Sequence, residues 1–411
     1  MSLIKNSFWN LAGYAAPLII AIPAMGVIAR LLGVEQFGIF TLFFAVVGYA
    51  SLFDLGISRA VIRSVAIEQS NLAGIHSILG TSTILVAASS LLALLLIAGF
   101  NTTLVQWLSI SPEYQADSAR AFSILAVTLP LVLLSSVWFS YLEGMSNFRL
   151  LNMLRTLSGI FLAVFPLIGV WIHADLSHAV WGLFFGRLLT ALIAYIWSLP
   201  GSSRKYLLRW ETATAFTLFR FGGWLTVSNL ISPLMVYFDR FLLSTMNGAK
   251  VVAFYTGPAE AITRLLAIPG SVVRVIFPVL SARSGIGNET RLSYLLLCGV
   301  CGAISLTGIF LAKWILLLWL GQDFLGDAVP VLQILLVGFF FNAVAQIPYT
   351  VIQAAGHSRV TALLHLAEIM PYLGLLYLSI NRWGVIGAAL AWTIRVGVDC
   401  LALILLSRRY R

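Results

Sequence analysis

The sequence predicts an all-α integral membrane protein of about twelve transmembrane helices in two six-helix bundles. Three observations carry this reading. The chain is 60% hydrophobic and only 10% charged, against roughly 25% charged in a soluble domain, so it could not cover a water-facing surface. About twelve apolar stretches follow one another from end to end, each near the roughly 20 residues that a helix needs to cross hydrocarbon. Most Lys and Arg residues fall in every second gap between them.

In order, the stretches are 8–29, 38–57, 77–99, 119–142, 150–172, 176–199, 216–246, 251–273, 292–320, 328–353, 360–380 and 383–406. Only helices or closed barrels satisfy every backbone group in lipid. Barrel strands alternate polar and apolar residues over roughly 10 positions, and these runs are longer and uniformly apolar. The first resembles a signal peptide in position only. It outlasts a usual apolar core and carries Pro17 and Pro23, so it is expected to be a retained helix.

The charges in the gaps orient the chain. One set of gaps, with the termini, holds Lys5, Arg59, Arg63, Arg149, Arg204, Lys205, Arg209, Arg274, Arg283, Arg291, Arg359, Arg408, Arg409 and Arg411, 14 in all. The other holds 3: Arg30, Lys250 and Arg382. Basic residues stay on the cytoplasmic side, which predicts an even number of crossings with both termini cytoplasmic. The net charge of +10 is scattered over short loops with no dense basic stripe, which argues against nucleic acid as a partner.

The longest basic loop, 201–214, lies at the midpoint and reads as a cytoplasmic linker between halves 1–200 and 215–411. The halves are weakly alike. At an offset of 215 residues Trp9, Gly33, Thr41 and Arg59 meet Trp224, Gly248, Thr256 and Arg274; at 210, segment 142–154 meets 352–364 and Arg149 meets Arg359. Together the matches suggest a parallel repeat. Prolines interrupt several stretches (Pro17, Pro23, Pro130, Pro166, Pro233, Pro258, Pro269, Pro348, Pro371), as ordinary kinks or as hinges.

Basic residues inside the stretches are Arg120, Arg155, Arg187, Arg220, Arg240, Arg264, Lys313 and Arg395; acidic ones are Asp54, Asp239, Glu260, Glu368 and Asp399. Each costs about 2.5–3.5 kcal/mol at a helix centre on insertion scales. Glu260/Arg264 and Arg395/Asp399 are spaced one turn apart and can pair on one face; such pairs hold helices together or serve transport. Asp239 and Arg240 point about 100° apart, so their partners are expected on other helices. Arg120, Arg155, Arg187 and Arg220 lie near the ends and can snorkel. Arg240, Arg264, Lys313 and Arg395 lie deeper, and this surplus of cations suits a phosphorylated ligand. His365, three residues before Glu368, is either a proton relay or a satisfied polar pair. Cys298, Cys301 and Cys400 read as small buried hydrophobes. No nucleotide-binding, metalloprotease or serine-hydrolase motif occurs, and neither a metal nor a cofactor is expected.

The segments FDLGISRAVIR (53–63), YFDRFLL (237–243), 254–281, VIQAAGHSRVTALLHLAE (351–368) and GVIGAALAWTIRVGVD (384–399) resemble those of Wzx-type O-antigen flippases, in the superfamily that also holds multidrug extruders. The resemblance runs nearly end to end. It implies two six-helix bundles forming a V around a central cationic cavity. It implies that an undecaprenyl-diphosphate-linked oligosaccharide is moved from the cytoplasmic to the periplasmic leaflet of the bacterial inner membrane. It also implies ion-coupled alternating access. Arg240, Arg264, Lys313, Arg395, Arg30 and Arg59 are then candidate diphosphate contacts. Asp54, Asp239, Glu260, Glu368, Asp399 and His365 are candidate coupling or charge-pair residues. Membrane lipid is a partner, and a polysaccharide polymerase and a chain-length regulator are further candidates. A drug exporter of the same superfamily would prefer acidic and aromatic cavity residues. A membrane-embedded polymerase or glycosyltransferase would need a large catalytic loop, for which the short gaps leave little room.

Overall fold

The computed structural model describes residues 3–199, 204–270, 272–273 and 288–410, without side-chain detail at 3–18, 50–51, 221, 223–236, 288–293, 358 and 410. Arg274, Arg283 and Arg411, the linker residues 201–203, and part of the 254–281 motif lie outside the described residues. So do the side chains of Lys5, Pro17, Pro233 and Arg291.

The described chain is helical throughout. The main helices are α1 (Leu3–Tyr49), α2 (Ile57–Ile67), α3 (Leu72–Gly99), α4 (Asn101–Trp107), α5 (Gln115–Gly144), α6 (Phe148–Ile172) and α7 (Leu176–Ile193), then α8 (Thr212–Asn247), α9 (Ala249–Leu265), α10 (Asn288–Trp319), α11 (Leu325–Ala354) and α12 (Ser358–Ser407). Nine stretches are long and apolar enough to cross a membrane. Two of them hold two crossings each. The stretch Ile19–Asp54 breaks at Gly33 (φ 74°), and Arg359–Ser407 breaks at Gly384 (φ 55°). With α8, 36 residues long, the described backbone provides the twelve crossings that the sequence predicts. A 50-residue helix such as α12 would be about 75 Å long if straight, far beyond hydrocarbon thickness, so a glycine that tolerates positive φ must turn it.

Local sequence places the helix starts. Asn71, Asn147 and Asp175 cap α3, α6 and α7, their side chains accepting from the backbone N–H groups of Gly74, Leu150 and His178. The prolines break no helix here: α5, α6, α9, α11 and α12 continue through Pro130, Pro166, Pro258, Pro348 and Pro371.

The chain divides into two compact units, Met1–Phe238 and Asp239–Arg411, changing over inside α8. The same local structures recur in both at an offset of 210 residues. A short 3-10 turn, Pro112–Tyr114 in one and Gln322–Phe324 in the other, leads into helices α5 and α11 of 30 residues each. Both helices end alike. Ser146 (φ 57°) and Gly356 (φ 84°) take the left-handed conformation. Asn147 N–H then donates to the Leu142 carbonyl at 2.9 Å, and His357 N–H to the Ile352 carbonyl at 3.1 Å. These bonds satisfy the last-turn carbonyls. Gly33 and Gly248, aligned at the 215-residue offset, both have positive φ with extended ψ.

Small residues let helices approach closely, since tails as apolar as Leu supply no other drive. In the first unit Gly182 on α7 lies against the backbone carbonyl of Phe165 on α6. In the second, Gly338 on α11 lies under the Trp392 ring of α12, and Gly387 meets the backbone carbonyl of Ser379 across the α12 turn. The last contact clamps the two arms of α12 together.

Candidate functional site

Most intramembrane charges of the second unit lie in one polar belt. The end of α8 contributes Asp239 and Arg240, and α9 contributes Tyr255, Glu260 and Arg264. The Arg240 Nη2 donates to Glu260 Oε1 at 2.9 Å. Arg264 Nη2, one turn along α9, is 3.7 Å from Glu260 Oε2. Glu260 is therefore held between two guanidiniums, the tighter from a different helix and 20 residues away. The Tyr255 hydroxyl donates to Asp239 Oδ2, while Asp239 Oδ1 accepts the Arg240 backbone N–H at 2.7 Å. Asp239, Arg240 and Tyr255 are all buried. A buried charge in hydrocarbon persists when paired and hydrogen-bonded, and this group meets that condition.

The α12 hairpin supplies the rest. Glu368 lies sixteen residues before Gly384 and Asp399 fifteen after it, so the turn places them opposite one another, and the charge of each is felt by the other. His365 Nε2 is 3.7 Å from Asp399 Oδ1. The His365 ring stacks on Tyr349 of α11, with centroids 5.9 Å apart. By the same register Arg395 meets Tyr372, its guanidinium 5.3 Å above the ring centroid. The Arg395 charge reaches both Glu368 and Asp239, which joins the hairpin to the α8–α9 group.

One expectation from the sequence needs correction. The Arg395/Asp399 pair does not form among the described residues: Asp399 takes His365 and Arg395 turns to Tyr372, both across the hairpin and not along one helix. The other charges of the stretches lie differently. Arg120, Arg155, Lys313 and Arg220 are exposed on their helices; Arg120 meets Asp117 at 3.8 Å and Arg155 meets Glu143 at 2.8 Å. Within the belt, Arg240, Arg264 and Arg395 face four carboxylates: Asp239, Glu260, Glu368 and Asp399.

The remaining candidates lie elsewhere. Arg30 is exposed just before the Gly33 turn, Arg59 is exposed on α2, and Lys313 is exposed on α10. Asp54 sits at the start of α2, where its carboxylate accepts from the Ser58 backbone N–H at 3.2 Å and from the Ser58 hydroxyl at 2.5 Å. That is a helix-start contact. The Ser58 hydroxyl also meets Ser136 of α5 at 2.9 Å.

Sequence reasoning missed Tyr255, Tyr349 and Tyr372. Their signal was available: a phenol within an apolar stretch needs a polar partner for its hydroxyl.

The chain matches the model of the family described as "Polysaccharide biosynthesis protein" over residues 3–284. A protein of Shigella flexneri named "Putative O-antigen transporter" is 42% identical, with 98% of this chain and 97% of that one covered. Among solved structures the fold is similar to an inward-facing multidrug-resistance transporter of the MATE family, at a TM-score of 0.78 and 16% identity over 98% of this chain and 97% of that one. It is equally similar to the lipid II flippase MurJ in an inward closed conformation, at 0.78 and 15% identity over 98% and 87%. The family match and the relative covered nearly end to end make the chain a multi-pass membrane transporter rather than an enzyme. More narrowly, the chain belongs to the polysaccharide biosynthesis protein family, as a Wzx-type flippase.

Proposed function

We propose that this flippase moves an undecaprenyl-diphosphate-linked O-antigen or polysaccharide repeat unit from the cytoplasmic to the periplasmic leaflet of the bacterial inner membrane. It does so by ion-coupled alternating access, with both termini and the 201–214 linker cytoplasmic and halves 1–200 and 215–411 working against each other. The single observation that carries this reading is 42% identity, nearly end to end, to the protein named as an O-antigen transporter. The chemistry supports it. A diphosphate with a sugar head does not cross hydrocarbon unaided, so fixed donors must replace its hydration; the polyprenyl tail is as apolar as lipid and needs no pathway.

Arg240, Arg264, Lys313, Arg395, Arg30 and Arg59 are the proposed contacts of the diphosphate. In the belt, each arginine already faces a carboxylate or an aromatic ring, so the ligand must enter by exchange. Arg264 is the natural entry point. Its 3.7 Å contact with Glu260 is looser than that of Arg240, and its guanidinium can pass to phosphate oxygens in bidentate geometry while Arg240 keeps Glu260 paired. A polysaccharide polymerase and a chain-length regulator are the proposed downstream partners.

The test is a deletion strain. Untranslocated lipid-linked sugar should accumulate on the cytoplasmic side, and the wild-type chain should clear it. Normal surface polysaccharide in the deletion strain would overturn the reading. Export of small cationic compounds, the second reading, is favoured by the four belt carboxylates and would show as drug sensitivity in the same strain.

A further inference from the structure

We propose that Glu368 and Asp399 share a single proton across the α12 hairpin, and that this pair, rather than Glu260, is where the second unit takes up and releases its driving ion. The role in coupling rests on the flippase reading above; the proton site itself does not.

The geometry leads here by comparing the belt's carboxylates. Glu260 is fixed by Arg240 at 2.9 Å and approached by Arg264 at 3.7 Å. Asp239 accepts from Tyr255 and from the Arg240 backbone. Both therefore already have donors on their carboxylate oxygens. Glu368 and Asp399 are different. Each is less than 10% exposed. Both Glu368 carboxylate oxygens and Oδ1 of Asp399 are buried without a hydrogen-bond partner, and the hairpin that brings His365 to 3.7 Å from Asp399 sets the two carboxyl groups facing each other. Two bare carboxylates so placed repel, and burial strengthens the repulsion. One proton converts the contact into a charge-assisted hydrogen bond.

Charge counting agrees. With every acid and base of the belt ionised and His365 neutral, Arg240, Arg264 and Arg395 oppose four carboxylates, leaving one net negative charge. A single bound proton brings the belt to neutrality, the cheapest state in a low-dielectric setting.

The groups facing the pair are few. On α12 these are His365, 3.7 Å from Asp399 Oδ1, Arg395, whose charge reaches Glu368, and Cys400 beside Asp399. On α11, Tyr349 backs His365. On α10, Cys298 approaches Cys400. From α8 and α9, Asp239 and Tyr255 face Arg395 and Tyr372. Arg395 makes the site a poor one for a metal cation, which it would repel, while leaving a proton acceptable. His365 is partly exposed, with 36% of its side chain accessible, and stands between Asp399 and the protein surface as the imidazole that would hand a proton on.

The uptake step balances simply. One proton from water binds the carboxylate pair, directly or through the His365 imidazole, and the belt passes from one negative charge to none. Release reverses this. That change of one charge per cycle is what a proton gradient can drive.

The full chain in phospholipid vesicles can be titrated while the carbonyl stretch of protonated carboxyl groups is followed by difference infrared spectroscopy. Wild type should retain a protonated-carboxyl band at neutral pH. Glu368→Gln and Asp399→Asn should each abolish it, since either substitution removes half of the shared bond, and Glu260→Gln should leave it. A wild type with no such band at neutral pH overturns the proposal, and so does a band that survives both Glu368→Gln and Asp399→Asn. The wild-type measurement stands even if a variant fails to insert. In vesicles carrying lipid-linked sugar, Glu368→Gln should lose the acceleration that an imposed pH gradient gives to wild type. If the band behaves as stated but wild type moves no lipid-linked sugar under any gradient, the flippase reading falls and the proton site remains.

Discussion

Arg240 reaches across from α8 to donate to Glu260 of α9 at 2.9 Å, and both side chains sit inside the membrane-crossing region. This bond ties α8 to α9 and gives Glu260 a partner from a different helix.

Arg240→Ala should therefore act mainly on stability. Removing one partner of a buried pair leaves an uncompensated charge and costs about 3–5 kcal/mol. The expected result is a large loss of membrane-inserted protein, measured by fluorescence-detected thermal unfolding of the extracted chain. Arg240→Ala combined with Glu260→Ala should recover part of that loss. A single Arg240→Ala variant as stable as wild type would remove the structural role.

Arg264→Ala should act on transport instead. Its contact with Glu260 is looser and Arg240 still pairs the carboxylate, so the protein should insert normally and move lipid-linked sugar more slowly. Arg264→Lys should rescue only in part, because an ammonium lacks the planar fork that grips phosphate. The readout is surface polysaccharide at matched expression. Full surface polysaccharide in Arg264→Ala would remove it from the diphosphate contacts.

Gly387→Val tests the hairpin. A side chain there meets the Ser379 backbone carbonyl, and overpacking costs about 1–3 kcal/mol. Pushing the arms apart should also separate Glu368 from Asp399. The protonated-carboxyl band should weaken with both carboxylates still present, a result that no loss of chemistry explains.

Ser146 and Gly356 make a matched pair. Both are left-handed, which costs a residue with a Cβ about 1–2 kcal/mol. Ser146→Gly should raise the thermal midpoint of the extracted protein and Gly356→Ala should lower it. Shifts of the same sign would contradict the common ending of α5 and α11.

Reporter fusions after Ser203 and after Arg408 should report cytoplasm, and one after Lys250 periplasm, following the 14-to-3 division of basic residues. A periplasmic signal after Ser203 would displace the assignment of every span beyond it.

The sequence by itself determined the all-helical membrane class and the twelve crossings. These depend on local composition: an apolar run of sufficient length satisfies its backbone in lipid as a helix. It also exposed the one-turn spacing of Glu260 and Arg264. Only the tertiary structure decided which charges meet. Glu368 comes to face Asp399 and Arg395 meets Tyr372 because of the turn at Gly384 and the close contact at Gly387, while Arg240 finds Glu260 where α8 packs on α9. Spacing along one helix says which residues share a face. Which face of the next helix comes opposite is set by packing between segments far apart in the chain, and that packing sets Arg240, Arg264 and Arg395 among carboxylates and rings that their spacing alone did not name.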